Sequence, residues 1–305
     1  MKKNLITITI ALMCGNLYAQ INMADSTVQV VGYWVNNETK SYEISYDKFK
    51  IKNSDTTSYS TIKYEVDIAI KDSTANGFVI EWFYNNYKIE TENPIAKKLS
   101  EIANDMAVLI RTDEFGAVQE VVNWEEVRDY ILKATNVLKK ELVQIPNIDQ
   151  ILSQVTGIYT SKEAIQGHAI KDALQFYTYH GGKYTLGEKL ASQLQMPNIY
   201  GGNPFDIELK VSLDEINEAD DNSIIRMSQS VNSEQLTDAT YGYLQKLGTL
   251  GDKMPKREDF PPLTNVTWTE SKIDGASGWI IYSKQIKKVM AEGTTNVEVR
   301  IIKVK

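Results

Sequence analysis

The sequence predicts an α+β fold: a curved antiparallel β-sheet, half-barrel-like, with helices packed on it and inserted between its strands. Three observations predict it. Long stretches near both ends of the chain alternate apolar and polar residues with period two. Stretches of helical spacing gather between residues 124 and 180. Short connections such as Asn76-Gly77, Asp274-Gly275 and Glu292-Gly293 join successive strands as antiparallel neighbours.

Residues 1–19 read as a secretory signal peptide. Lys2 and Lys3 give a positive start, an apolar run from Leu5 to Met13 follows, and Leu17-Tyr18-Ala19 precedes a cut before Gln20. That run is too short to span a bilayer. Cys14 offers an alternative as the lipid-bearing cysteine of a lipoprotein, but Met13 is larger than the small residue preferred before such a cysteine. The cut at Ala19 is the better formed, and it leaves a thiol-free chain without disulfides or thiolate metal sites.

Val28, Val30, Tyr33 and Trp34 suggest a first strand. Tyr42, Ile44 and Tyr46 alternate in the next, and Phe49 and Ile51 fall on the opposite parity, which a β-bulge near Asp47-Lys48 would reconcile. Ile62, Tyr64, Val66, Ile68 and Ile70 face one way, while Lys63, Glu65, Asp67 and Lys71 face the other. Phe78, Ile80, Trp82 and Tyr84 repeat the pattern, with Phe83 and Tyr87 on the second face of that strand. Pro94 opens a short helix with Ile95, Leu99 and Ile102, and Val108–Val122 forms a hairpin around Asp113 to Gly116.

An amphipathic helix carries Trp124, Val127, Ile131, Ala134, Leu138 and Leu142, and Pro146 stops it. Its stripe is the expected cover for Ile62 to Ile70. Ile148 to Val155 makes a shorter helix, and Thr160 with Glu163 caps a third that runs to about His180. Ile207, Leu209, Val211 and Leu213 restart the alternation, followed by Ile224–Val231, a helix over residues 234–247 and three closing strands at 264–273, 278–291 and 296–304. The chain beyond residue 19 therefore reads as one α+β unit over 20–305. It divides into two pseudo-repeated halves, 26–143 and 183–305, joined by helices over 146–180.

Net charge is −7, with an isoelectric point near 5.1, which argues against nucleic acid as a partner and against anionic membrane surfaces. No later stretch is long and apolar enough for a membrane helix. His168 and Asp172 sit four apart on one helix and could act as an oriented base, although no motif sets a nucleophile beside them. His180 stands at a helix C-terminus, where an imidazolium complements the dipole. Two distant histidines without cysteine do not make a zinc site. The acidic runs Glu125-Glu126 and Glu218–Asp221 read as a helix start and a hairpin tip, the latter lacking the glycine and terminal glutamate of a calcium loop. Neither Gly181-Gly182 nor Gly201-Gly202 is placed as a phosphate loop, and there is no Gly-x-Ser-x-Gly elbow.

Aromatic residues are the remaining functional signal. Trp34, Trp82, Phe83, Tyr84 and Tyr87 are candidates to line an apolar cleft or meet a partner.

Tyr184-x-Leu186-Gly187-Glu188, Tyr200-Gly201-Gly202-Asn203-Pro204-Phe205 and the hairpin Val108–Val122 with its Asn123-Trp124 exit resemble uncharacterised secreted proteins of Bacteroidota, a family known as a domain of unknown function. The order of elements is also similar to that of LolA/LolB-like lipoprotein carriers. The first resemblance implies O-glycans at Ser26, Thr56 and Ser73, each in an Asp-Ser/Thr-Thr triplet. The expectation that follows is an exported, periplasmic or extracellular, non-enzymatic protein. It needs no cofactor and binds a lipid-like apolar or amphipathic ligand, or an envelope protein. The alternative is an envelope hydrolase using carboxylates or the His168–Asp172 pair.

Overall fold

The computed structural model describes residues 20–91, 97–99, 101–157, 159–198, 200–248, 251 and 254–305. The signal segment with Cys14, and the Pro94-Ile95 helix start, lie outside the described residues. The elements run β1 (Ile21–Asn22), β2 (Thr27–Gln29), β3 (Thr39–Lys52), β4 (Asp55–Thr74), β5 (Gly77–Glu90), β6 (Met106–Thr112) and β7 (Val118–Val121). Helices α1 (Trp124–Glu141), α2 (Ile148–Gly157), α3 (Lys162–Ala164) and α4 (Lys171–Phe176) follow. The chain closes with β8 (Lys183–Thr185), β9 (Lys189–Met196), β10 (Phe205–Asn217), β11 (Asn222–Val231), α5 (Ser233–Leu247), β12 (Thr264–Asp274), β13 (Ile280–Ala291) and β14 (Thr294–Val304).

Eleven strands form one open antiparallel sheet in the order β7-β6-β5-β4-β3-β14-β13-β12-β11-β10-β9. The chain runs from the centre to one edge in the first half and returns from the other edge to the centre. Pairing of β3 with β14 makes the two runs continuous. A small sheet, β1-β2-β8, is joined to the large one where Leu186, just past β8, bridges to Leu213 of β10. No helix among the described residues is long and apolar enough to cross a membrane.

The apolar face of β4 is the one the alternation predicts: Val66, Ile68 and Ile70 are fully buried. The helix that covers it is different. Phe176 of α4 packs edge-on against Tyr42 and Trp82 at 5.2 and 5.4 Å, and the Trp82 Nε1 donates to the Tyr177 hydroxyl at 3.1 Å. Helix α1 is held over β6 instead. Asn123, just before it, accepts from Leu109 N through Oδ1 and donates to Ala107 O through Nδ2. That pin fixes where the helix begins, and Val127 and Ile131 are buried from there.

The long helix expected from Thr160 to His180 is broken. Ser161, one residue on, is the N-cap and accepts from Ala164 N. A π turn over Ile165–Ala169 and a kink at Ile170 separate α3 from α4. The strand expected through Val28 to Trp34 is confined to Thr27–Gln29.

The bulge expected near Asp47-Lys48 is absent. Strand β3 is paired without interruption on both sides through Tyr46–Lys50, so a bulge there would break two ladders at once. Phe49 stays on the face away from the helices, paired with Tyr59 and Val297. The positions beyond Tyr46 on the helix face are therefore Lys48 and Lys50. A bulge does occur in β5, where Asn86 and Tyr87 stand opposite Tyr64 and Asn86 takes φ 54°. The extra residue reverses the parity, so Tyr87 joins Tyr84 on the helix face and does not share a face with Phe83.

Candidate functional site

Along β3, β4, β5 and β14 the helix face changes character within a few residues. At one end it is solid: Trp34, Tyr42, Trp82, Phe176 and Trp279 interlock, Trp34 lying 5.1 Å from both Phe78 and Trp279. At the other end α4 no longer covers the strands, and a cavity of about 930 Å³ remains. Cavities of about 300–1,000 Å³ are usual for small organic ligands.

One wall is aromatic and aliphatic. Tyr64 and Tyr87 stack at 4.7 Å with rings 6° from parallel, and Tyr84, Ile62 and Ile89 continue the surface. Leu99, Ala103, Met106 and Tyr159 close over it. The Asp172 carboxylate, buried at the start of α4, accepts from the Tyr64 hydroxyl at 2.9 Å and the Tyr84 hydroxyl at 3.1 Å. Burial, with the negative field of Asp172, pushes both tyrosine hydroxyls well above their ordinary range, so they remain proton donors.

The facing wall is charged. Tyr46 lies between two cations, Lys48 Nζ at 5.0 Å and the Arg300 guanidinium at 5.0 Å from its ring centre. Arg300, 8% exposed, donates to Lys171 O and Gln285 Oε1, each at 3.4 Å. Burial works to raise the Glu298 carboxyl; the Tyr46 hydroxyl with Lys287, Lys48 and Lys171 outweighs it and holds Glu298 below the usual carboxylate range. Desolvation, with Lys287, Arg300 and Lys48 nearby and Glu298 opposing, lowers Lys171.

The aromatic candidates divide. Tyr84 and Tyr87 line the cavity. Trp34 and Trp82, 3% and 0% exposed, belong to the core and do not reach it. Phe83 is half-buried on the opposite face. His180 is no exposed imidazolium at a helix end: it is buried between Trp34, Phe176 and Tyr177, and desolvation lowers it to about 4. Its Nε2 sits 2.9 Å from Gly278 O, which makes that nitrogen the protonated one. The side chain of His168 lies outside the described residues, and Asp172 is engaged by two tyrosines. Among the described residues no cluster of three histidine, cysteine, aspartate or glutamate side chains could hold a metal. Thr56 and Ser73 are exposed near strand ends, and Ser26 is half-buried at φ 52°.

Sequence reasoning did not single out Tyr46, Lys48, Lys171, Lys287 or Arg300. The available signal was parity: Lys48 continues Tyr42-Ile44-Tyr46, and Arg300 and Glu298 continue Val304-Ile302 backwards.

No protein-family model and no curated protein matches this chain. Among solved structures, acyl-CoA thioesterase II TesB2 from Mycobacterium marinum is similar at 5% identity, over 87% of this chain and 81% of that one, with a TM-score of 0.11. A likeness of that size carries no argument about fold or activity.

Proposed function

We propose that this is an exported, non-enzymatic binding protein whose sheet, curved half-barrel-like beneath its helices, takes a small apolar or amphipathic ligand into the cavity beside α4. The observation that carries the reading is the change along β3–β5 and β14 from a sealed aromatic core to an open, aromatic-walled space of about 930 Å³. The secretory start of the chain supports a place outside the cytoplasm. A carrier role, as in the LolA/LolB-like proteins whose element order this chain resembles, fits a cavity roofed by short helical segments.

Nile red, an uncharged solvatochromic dye, tests the reading. The purified protein is expected to bind it in one-to-one stoichiometry with a blue-shifted emission. Ser60→Trp, on the cavity end of β4, should abolish binding while the melting temperature holds. A wild-type protein that leaves the dye in water, or a Ser60→Trp variant that binds it undiminished, would refute the proposal.

A further inference from the structure

The two walls of the cavity differ in charge, and that difference defines a ligand class. Lys48, Glu298 and Lys287 stand directly opposite one another on β3, β14 and β13, forming one lateral row on the helix face. Arg300 follows one step along β14, opposite Tyr46, and Lys171 approaches from the first turn of α4. Among the described residues none of these four cations lies within ion-pairing distance of a carboxylate. Glu298 offsets one charge of the four, and Asp172 already accepts two tyrosine hydroxyls. The wall is thus positive in a chain whose net charge is −7. The row alternates in sign across the strands, but four cations gathered about the single Glu298 carboxylate leave an excess of positive charge, which an anion placed among them offsets. On the far side, β4 and β5 offer Ile62, Ile89 and the Tyr64–Tyr87 stack, where hydrocarbon can be buried.

We infer that the cavity takes an anionic amphiphile, its carboxylate, phosphate or sulfate group against the lining residues Lys48, Lys171 and Arg300 and its hydrocarbon against β4 and β5. The inference rests on the binding function proposed above and specifies its ligand. Guanidinium and ammonium groups together suit an oxyanion, the first by a planar fork and the second as a point charge.

Displacement of Nile red by three amphiphiles of one chain length separates the two claims. Dodecanoate is expected to compete at least about tenfold more tightly than dodecanol, with dodecyltrimethylammonium weakest, and the preference should shrink as salt rises. Lys48→Gln with Lys171→Gln should bring dodecanoate down to the level of dodecanol, with a melting curve taken on the same sample. A further arm offers phosphatidylglycerol vesicles. Dye displacement by vesicles as well as by dodecanoate would extend the ligand to membrane lipid, and by dodecanoate alone would confine it to the free acid. Equal competition by dodecanol and dodecanoate overturns the anionic assignment while the binding function stands. Failure of the protein to take up dye at all removes that function, and this inference with it.

Discussion

The same four strands build two different interiors. Toward one end β3, β4 and β5 present Tyr42, Ile44, Val66, Ile68, Ile80 and Trp82, all sealed from water. A few residues along, the same alternation presents Tyr46, Lys48, Ser58 and Ser60 to an open cavity, and the bulge in β5 brings Tyr87 to the same face. Period two, reset once in β5 by that bulge, decides which face a side chain takes. Composition along the strand, together with where α4 lies, decides whether that face becomes core or site. A core concentrated at one end supplies stability, which leaves the other end free to carry charge that a packed interior would exclude.

The sharpest way to break this comparison is one substitution made at both ends of one strand. Val66→Asp puts a carboxylate where the side chain is 0% exposed. It forfeits about 1.5–3 kcal/mol of burial and adds the desolvation of an unpaired charge, so no cooperative thermal transition is expected. Ser60→Asp, on the same face at the cavity end, should melt within a few degrees of wild type. Comparable loss of structure in both variants would show that the cavity end is core.

Acidification probes the sealed end alone. The folded His180 is held near 4 by burial, against about 6.5 in an unfolded chain. Between those values the unfolded state binds the extra proton, so stability rises with pH. The contribution is complete above about 6.5 and is lost as pH falls toward 4, amounting to ~3 kcal/mol. Glu298, Glu120 and Glu163 are lowered from 4.5, so their losses fall below that value and outside most of this window. Urea titrations of the wild type from pH 7 to 5 should show the midpoint falling. His180→Phe should flatten that slope, and a slope unchanged in the variant would mean His180 is not its source.

At the boundary between the two interiors, Tyr64→Phe deletes one of the two hydroxyls that satisfy Asp172. Weakening the satisfaction of a buried carboxylate should cost about 1–3 kcal/mol. Tyr84→Phe should cost a similar amount, and the double variant more than either, as calorimetric melts would register. Single variants as stable as wild type would show that Asp172 does not depend on these bonds.

Much of the core end was legible in the sequence, because a clean apolar alternation such as Val66-Ile68-Ile70 has one way to face. The helix that covers it was not legible. Both α1 and α4 carry apolar faces, and the choice between them is made by Asn123, which ties the start of α1 to β6. The cavity end was read only in part. Tyr84 was placed by its alternation with Trp82, but Lys48 and Arg300 look like ordinary solvent-facing residues until β3 and β14 are known to be neighbours at the centre of a sheet. Such pairing joins residues some 250 positions apart (Lys48 with Glu298), and no local pattern encodes it.

The smallest expected effect concerns the one residue that carries β5 from the first interior into the second. Asn86 adopts φ 54°, a conformation that asparagine tolerates better than most residues, and its Nδ2 donates to Glu65 at 2.8 Å. Glu65 faces outward as the alternation requires, but it is not unpaired, since Lys305 also reaches it at 2.8 Å. Asn86→Ala keeps the chain length, so the bulge persists at a backbone cost of about 1 kcal/mol, and Asn86→Gly should sit nearer wild type. Inserting an alanine after Asn86 is a different experiment. With the bulge held to one residue, the added position reverses the parity again, so Tyr87 and Ile89 turn to the opposite face, the Tyr64–Tyr87 stack is lost, and the aliphatic wall of the cavity goes with it. Nile red uptake should survive both substitutions and fail in the insertion, while the Trp82 end keeps its cooperative melt. Dye binding that survives the insertion would show that β5 realigns in another way, and that the second interior does not depend on the parity set at this bulge.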